Sequence, residues 1–133
     1  MTEYTSKQVQ LLKPDFLVFE ALSSFSNFTP MIGDKVENWE ASVDKCSFKA
    51  QGFTVKLQMI ERTPNSVIKI TGDDLPLEFF FWVQLKKVAD CDTRLRLVVK
   101  AELNFMMKTM IGSKLQKGLD QMAESIATAF NQI

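Results

Sequence analysis

Histidine is absent from this chain of 133 residues. Histidine is the commonest general base near neutral pH and a frequent ligand of zinc and iron. Its absence excludes serine–histidine and cysteine–histidine catalytic couples and the usual zinc and iron ligand sets. The only tyrosine, Tyr4, lies near the start of the chain. An acid or base for catalysis would therefore have to be sought among the carboxylates.

Cysteine is scarce. Cys46 and Cys91 are the only two, and they are too few for a disulfide scaffold or a metal site. Cys46 alternates with Phe48 and Ala50, which predicts a small buried apolar side chain. The pair Asp73–Asp74 offers fewer oxygens than a hard cation requires. We therefore expect neither a metal nor a cofactor.

Net charge and long apolar runs are also lacking. Sixteen basic and sixteen acidic residues cancel, so no long-range field attracts nucleic acid or an anionic membrane. The longest apolar run, Leu77 to Leu85, is interrupted and falls short of the roughly 20 residues that span a bilayer. Thr2 to Lys7 is polar, unlike a signal peptide. We expect one soluble, cytoplasmic domain covering residues 1–133, with no membrane span and no nucleic-acid partner.

Alternation of apolar and polar residues predicts a meander of about six strands. The clearest strand carries Phe53, Val55, Leu57 and Met59 on one face. Upstream, residues 3–12 predict a first strand. Residues 16–23 and 25–33 predict two short helices, the first with Pro14 and Asp15 at its start. The order strand, two helices, meander and final helix is typical of the α+β class.

The C-terminal segment has the strongest helical pattern. Its apolar residues recur at steps of three and four along one stripe, at Met107, Ile111, Leu115, Leu119, Met122, Ile126 and Phe130. Gly112 costs a helix about 1 kcal/mol relative to alanine, and Ser113 and Gln116 have capping-box spacing. We therefore predict a kink or a short break near Gly112. The helix should lie across the concave side of an antiparallel sheet of six to seven strands, because each apolar face needs the other.

Five segments carry a resemblance to a known family: Lys13–Asp15 with Phe19 and Leu22, Ser26–Phe28, Ile60–Pro64, Asp92–Leu95 and Leu115–Phe130. The chain resembles the START-like, or SRPBCC, superfamily over nearly its whole length. It is most similar to small bacterial members of bacteroidete type, and less so to the polyketide cyclase/dehydrase and lipid-transport branch. The resemblance implies a helix-grip fold, in which a curved sheet wraps a long C-terminal helix. Members include cyclases, hormone and lipid carriers, quinone-binding proteins and ribosome-associated toxins, so the fold implies no particular reaction.

In that family a cavity lies between sheet and helix, which predicts the ligand-binding positions here. They are Phe53, Val55, Leu57, Phe79, Phe81, Val83, Leu97, Val99, Met107, Met110, Ile111, Met122 and Ile126, with Ile68, Ile70 and Leu115 facing the same space. An apolar pocket of this kind would hold a lipid-like or aromatic molecule without transforming it. The alternative is that the same side chains fill a solid core.

Two further functions stay open. Phe80 and Trp82 fall on the opposite face of their strand, where they would form a homodimer or bind another macromolecule. Otherwise they pack across strands under the stems of Arg94 or Arg96.

A cyclase or dehydrase acting on a polyketide-like substrate is the other alternative. It needs an inward acid, whereas Glu78 and Glu102 alternate outward. Glu61 is a further candidate, and a β-bulge would change which face a carboxylate occupies. We identify no catalytic residue. The lysines Lys108, Lys114 and Lys117 are either solvated or attract the acidic head of a ligand.

Overall fold

The computed structural model describes residues 1–50, 52–73 and 77–132. The described residues form eight strands, three α-helices and one 3-10 helix. In chain order these are β1 (Thr2–Thr5), β2 (Val9–Leu11), α1 (Asp15–Leu22), the 3-10 helix (Phe25–Phe28), α2 (Thr29–Ile32), β3 (Glu37–Ala41), β4 (Lys45–Ala50), β5 (Phe53–Thr63), β6 (Val67–Gly72), β7 (Phe79–Ala89), β8 (Asp92–Ala101) and α3 (Phe105–Asn131). The predicted α+β class is confirmed.

The strands form one curved antiparallel sheet in the order β1-β8-β7-β6-β5-β4-β3, and β2 also pairs with β8. Helix α3 packs mainly on β1, β2 and β8, while α1 packs on β7 and β8. The helix-grip architecture is therefore confirmed. Part of the Asp73–Asp74 turn lies outside the described residues.

The first predicted strand is divided. Between β1 and β2, the backbone N–H of Ser6 donates to the carbonyl of Leu97 at 2.8 Å. The hydroxyl oxygen of Ser6 accepts from the N–H of Leu97 at 2.9 Å. This side chain replaces a strand–strand hydrogen bond where the edge strand changes course. The expected single strand over residues 3–12 was wrong, and the sheet has eight strands in place of six to seven.

Helix α3 runs without a break from Phe105 to Asn131. The side chain of Asn104 caps it by accepting from the N–H of Met107 at 2.8 Å. Gly112 is buried, and a Cβ added there would lie 2.8 Å from the hydroxyl oxygen of Tyr4 in β1. We predicted a kink or a short break near Gly112, and the break was wrong. Glycine at this position allows the helix to approach β1 closely.

The core lies between the sheet, α1 and α3. Its fully buried side chains are Leu11, Val18, Ile68, Thr93, Leu95 and Leu97. Thr93 meets its hydrogen-bonding need by donating its hydroxyl to the carbonyl of Lys13 at 2.8 Å. Cys46 is buried as predicted, and burial raises the pKa of its thiol from 9.0 to about 11. The second cysteine, Cys91, is exposed.

Candidate ligand-binding site

The apolar stripe of α3 divides into two sides that differ in burial. Leu119, Ala123 and Phe130 are buried in the core. Ile126 is only half-buried, although it packs against the core, and Met122 is 48% exposed. Residues three or four apart share one side of a helix, so Met122 and Ile126 face the same space. That side of α3 is incompletely covered by protein.

A cavity of about 370 Å³ lies at this side of α3. It is bounded by β6, β7 and β8, by α3, and by the segment from α1 to α2. Its lining consists of Leu22, Phe28, Ile32, Lys35, Ile70, Phe81, Val83, Leu97, Met122, Ser125, Ile126 and Ala129. The volume falls within the range of about 300–1,000 Å³ typical of small-molecule pockets. The space between the sheet and α3 is therefore packed at one side of the helix and open at the other.

The cavity opens to the surface between α2 and α3. Among its lining residues, Lys35 and Ser125 are exposed, as is nearly half of Met122. The opposite wall is more enclosed, because Ile70, Val83 and Leu97 are buried. The site thus has an apolar floor on the sheet and a partly polar mouth.

The structure brings together only part of the predicted ligand-binding set. Phe81, Val83, Leu97, Met122 and Ile126 line the cavity, as does Ile70. The remaining predicted positions lie outside its lining: Phe53, Val55, Leu57, Phe79, Val99, Met107, Met110 and Ile111. Phe53, Val55 and Leu57 lie on β5, which is not among the strands that α3 mainly contacts. Met107, Met110 and Ile111 lie nearer the start of α3 than the cavity, which that helix borders from Met122 to Ala129.

Two of the outlying positions are largely exposed. Phe53, at the start of β5, is 74% exposed, and Met110, near the start of α3, is 65% exposed. Val99, by contrast, is buried within the core cluster. Period-two or helical spacing alone does not show which positions of an apolar face are covered, nor how far along that face the cavity extends.

Several lining residues were not predicted from the sequence. Leu22, Phe28 and Ile32 come from the helical segment between β2 and β3, and Ser125 and Ala129 come from α3. The spacing of Phe19 and Leu22 indicated an amphipathic helix but not the surface that it covers. Lys35 lies in the turn after α2 and carried no recognisable pattern.

The electrostatics of the site are simple. Among the described residues that line the cavity, Lys35 is the one charged residue, and none is a carboxylate. Glu61, Glu78 and Glu102 are all exposed. A β-bulge does occur between Met59 and Glu61, yet it leaves Glu61 at the surface. Within the described ranges, no group of three or more acidic or cysteine residues is arranged to hold a metal ion.

Another depression, of about 430 Å³, lies on the outer face of the sheet. Its two arginines are already partnered: Arg94 donates to Asp92, and Arg96 donates to the side-chain oxygen of Gln84 at 3.0 and 2.8 Å. The Arg94 guanidinium holds the pKa of the Asp92 carboxyl below its usual range. Among the described residues that line it, Leu85 and Leu95 are apolar and buried, whereas the other five are polar or charged, so it is the weaker candidate for a hydrophobic ligand.

Phe80 and Trp82 also lie on the outer face, and both are half-buried. Their ring centroids are 6.0 Å apart, and Trp82 pairs with the buried Val98 across β7 and β8. The ammonium of Lys69 lies 4.6 Å from the Phe80 centroid and 5.3 Å from that of Trp82. Lys100 approaches Trp82 at 5.7 Å. Cross-strand packing beneath lysines, rather than beneath Arg94 or Arg96, accounts for the two rings.

The fold matches solved structures across almost the whole chain. A START superfamily protein from Mycobacterium smegmatis superposes with a TM-score of 0.66 at 11% identity, covering 98% of this chain and 97% of that one. Norcoclaurine synthase from Thalictrum flavum superposes with a TM-score of 0.74 at 10% identity, covering 96% of this chain and 85% of the synthase chain. The Aha1 dimer from Colwellia psychrerythraea superposes with a TM-score of 0.71 at 13% identity, covering 98% of this chain and 97% of the Aha1 chain.

No protein-family model matches the sequence, and no curated protein does either. The structural likeness confirms the START-like resemblance at the level of the fold. Identities this low carry the fold and not the activity. The closer similarity to members of bacteroidete type stays a prediction. In the described part of the chain, no helix combines the length and apolarity that crossing a membrane requires.

Proposed function

We propose that this protein binds a small hydrophobic molecule in the cavity between the sheet and α3, without transforming it. The observation that carries the proposal is the cavity of about 370 Å³, whose lining is aliphatic and aromatic apart from Lys35 and Ser125. Burying apolar ligand surface there contributes about 25 cal/mol per Å². Few polar groups are needed to orient such a ligand.

The mouth of the cavity supports reversible entry. Met122 is half exposed at the rim, and a methionine side chain adapts its shape at low energetic cost. Ligand exchange would then require rotation of this side chain rather than separation of α3 from the sheet. A carrier or sensor needs a site of this kind.

Catalysis is not part of the proposal. A cyclase or dehydrase must place an acid or base against its substrate, and the described part of the chain contributes no carboxylate to the cavity lining. The synthase with a similar fold is only 10% identical, so its chemistry does not transfer. Homodimerisation through Phe80 and Trp82 stays a prediction, since packing within the chain already accounts for both rings.

A cavity-filling substitution tests the proposal. Ala129 lies on the cavity lining, and Ala129→Phe would place a ring in the space that the ligand needs. We expect saturable binding of the neutral dye Nile red to wild-type protein, and a loss of affinity of about tenfold or more in the variant. Native mass spectrometry of freshly purified protein should also show a bound small molecule that the variant lacks.

The matched control is Ala89→Phe, because Ala89 is exposed at the end of β7 and far from the lining. This control should bind the dye as the wild type does. Bare wild-type protein in the mass spectrum together with no saturable dye binding would remove the proposal. Equal losses in the two variants would also count against it.

A further inference from the structure

We infer that the ligand is a carboxylate amphiphile, whose hydrocarbon chain occupies the cavity and whose head lies at Lys35. This inference rests on the proposed function and specifies the chemical class of the molecule bound. It starts from the contrast between an apolar interior and Lys35, the one cationic residue that the described ranges contribute to the lining.

Lys35 is held at the mouth by the turn that follows α2. Its backbone N–H donates to the carbonyl of Ile32 at 2.8 Å, and Ile32 itself lines the cavity. The lysine residue as a whole is exposed. Lysine keeps its ammonium in water while its methylene stem lies on apolar surface. It is therefore suited to the boundary between a hydrocarbon pocket and solvent.

The ammonium of Lys35 is available to a ligand. Asp34 and Glu37 are close in sequence, yet none of the salt bridges among the described residues includes Lys35. Ser125, on α3, adds a hydroxyl to the same lining. A carboxylate accepts hydrogen bonds from both kinds of group. A cationic head would instead meet a like charge and no carboxylate partner.

The other lysines considered for this role lie elsewhere. Lys108, Lys114 and Lys117 are exposed on α3 and do not contribute to the cavity lining. The sequence suggested that these lysines attract the acidic head of a ligand. We assign that role to Lys35 instead.

Calorimetric titration with decanoate and with decanol tests the assignment, because the two probes share a chain and differ in head-group charge. Wild-type protein should bind decanoate about threefold to fivefold more tightly than decanol, the effect expected of one exposed charge pair. Lys35→Met should remove this preference, so that the two probes bind the variant with equal affinity. Lys35→Arg should retain it, and added salt should reduce it.

Lys117→Met is the matched control, since it removes one lysine charge from an exposed site on α3 outside the lining. It should keep the wild-type preference for decanoate. Equal loss in Lys117→Met and Lys35→Met would overturn the assignment, because net charge alone would then explain it. Unchanged decanoate binding in Lys35→Met would overturn it as well.

Chain length separates this inference from the function on which it rests. From octanoate to decanoate to dodecanoate, affinity should rise about fourfold for each methylene buried, until the cavity is full. If decanol and Nile red bind but decanoate has no advantage, the head-group assignment fails and the proposed function stands. If no apolar probe binds, both fail together.

Discussion

The two sides of the apolar stripe on α3 carry similar types of side chain but have different surroundings. On one side, Leu119, Ala123 and Phe130 pack into the core with 8% exposure or less. On the other, Met122 and Ile126 border a cavity with an open mouth. Both sides belong to one apolar stripe, so the amino-acid types alone do not distinguish a packed surface from a pocket wall.

The difference comes from what faces each side. The packed side lies over β1, β2 and β8, which are in direct contact with the helix. The open side faces β6 and β7 and the α1–α2 segment, which stand far enough away to leave a space of about 370 Å³. The placement of the helix over one part of the sheet therefore creates the pocket.

The largest expected effect is a difference in stability between the two sides. Leu119→Ala should lower the free energy of unfolding by about 3 kcal/mol, because it leaves a void in a packed region. Met122→Ala, one turn away, should lower it by less than about 1 kcal/mol, since that side chain is half exposed already. Urea denaturation of both variants measures the difference. Similar losses would mean that the two sides are packed alike.

A smaller effect on stability is expected when either of the two glycines of α3 is replaced by alanine. Gly118 is exposed and an added Cβ would meet nothing within 4 Å, so Gly118→Ala should stabilise the protein by about 0.5–1 kcal/mol. Gly112→Ala should instead destabilise it by about 1 kcal/mol, because the methyl group meets the Tyr4 hydroxyl. Thermal denaturation gives the sign of each change.

The Gly112 contact can be separated from helix propensity. In a Tyr4→Phe background the obstructing hydroxyl is gone, so Gly112→Ala should be less harmful there than in the wild type. If Gly112→Ala stabilises the wild type as much as Gly118→Ala does, the helix does not approach β1 as closely as described.

The smallest expected effect on the free energy of unfolding at neutral pH concerns the packed region around Cys46. Burial keeps its thiol protonated up to about pH 11, whereas the unfolded chain releases the proton near 9.0. The free energy of unfolding should therefore fall as pH rises through this window, and less so in Cys46→Ala. A thiol reagent near pH 8 should label the exposed Cys91 rapidly and Cys46 only after unfolding. Rapid labelling of both native thiols would contradict this burial.

Much of the fold was predictable because its elements have strong periodic signals. The alternation along β5 and β8 and the stripe on α3 each identified an element and its apolar face. The division between β1 and β2 was not predictable, because Ser6 acts through a side-chain hydrogen bond to Leu97 that no period reveals. The continuous helix at Gly112 depends likewise on Tyr4, a partner more than a hundred residues away in sequence.

The candidate site was predictable only in part, for a related reason. Phe81, Val83 and Ile126 face inward by simple alternation or helical spacing, and they do line the cavity. The contribution of Phe28 and the position of Lys35 depend on how the α1–α2 segment lies over the sheet. Local sequence patterns contain no information on that arrangement.

The most direct test of the account is a crystal structure of protein purified without removal of bound lipids. We expect elongated electron density between Phe81 and Ile126, with its polar end directed towards Lys35. The opposite result would be a cavity that Phe28 and Ile32 close by rotating inward, with side chains filling the space from sheet to helix. That result would contradict our expectation.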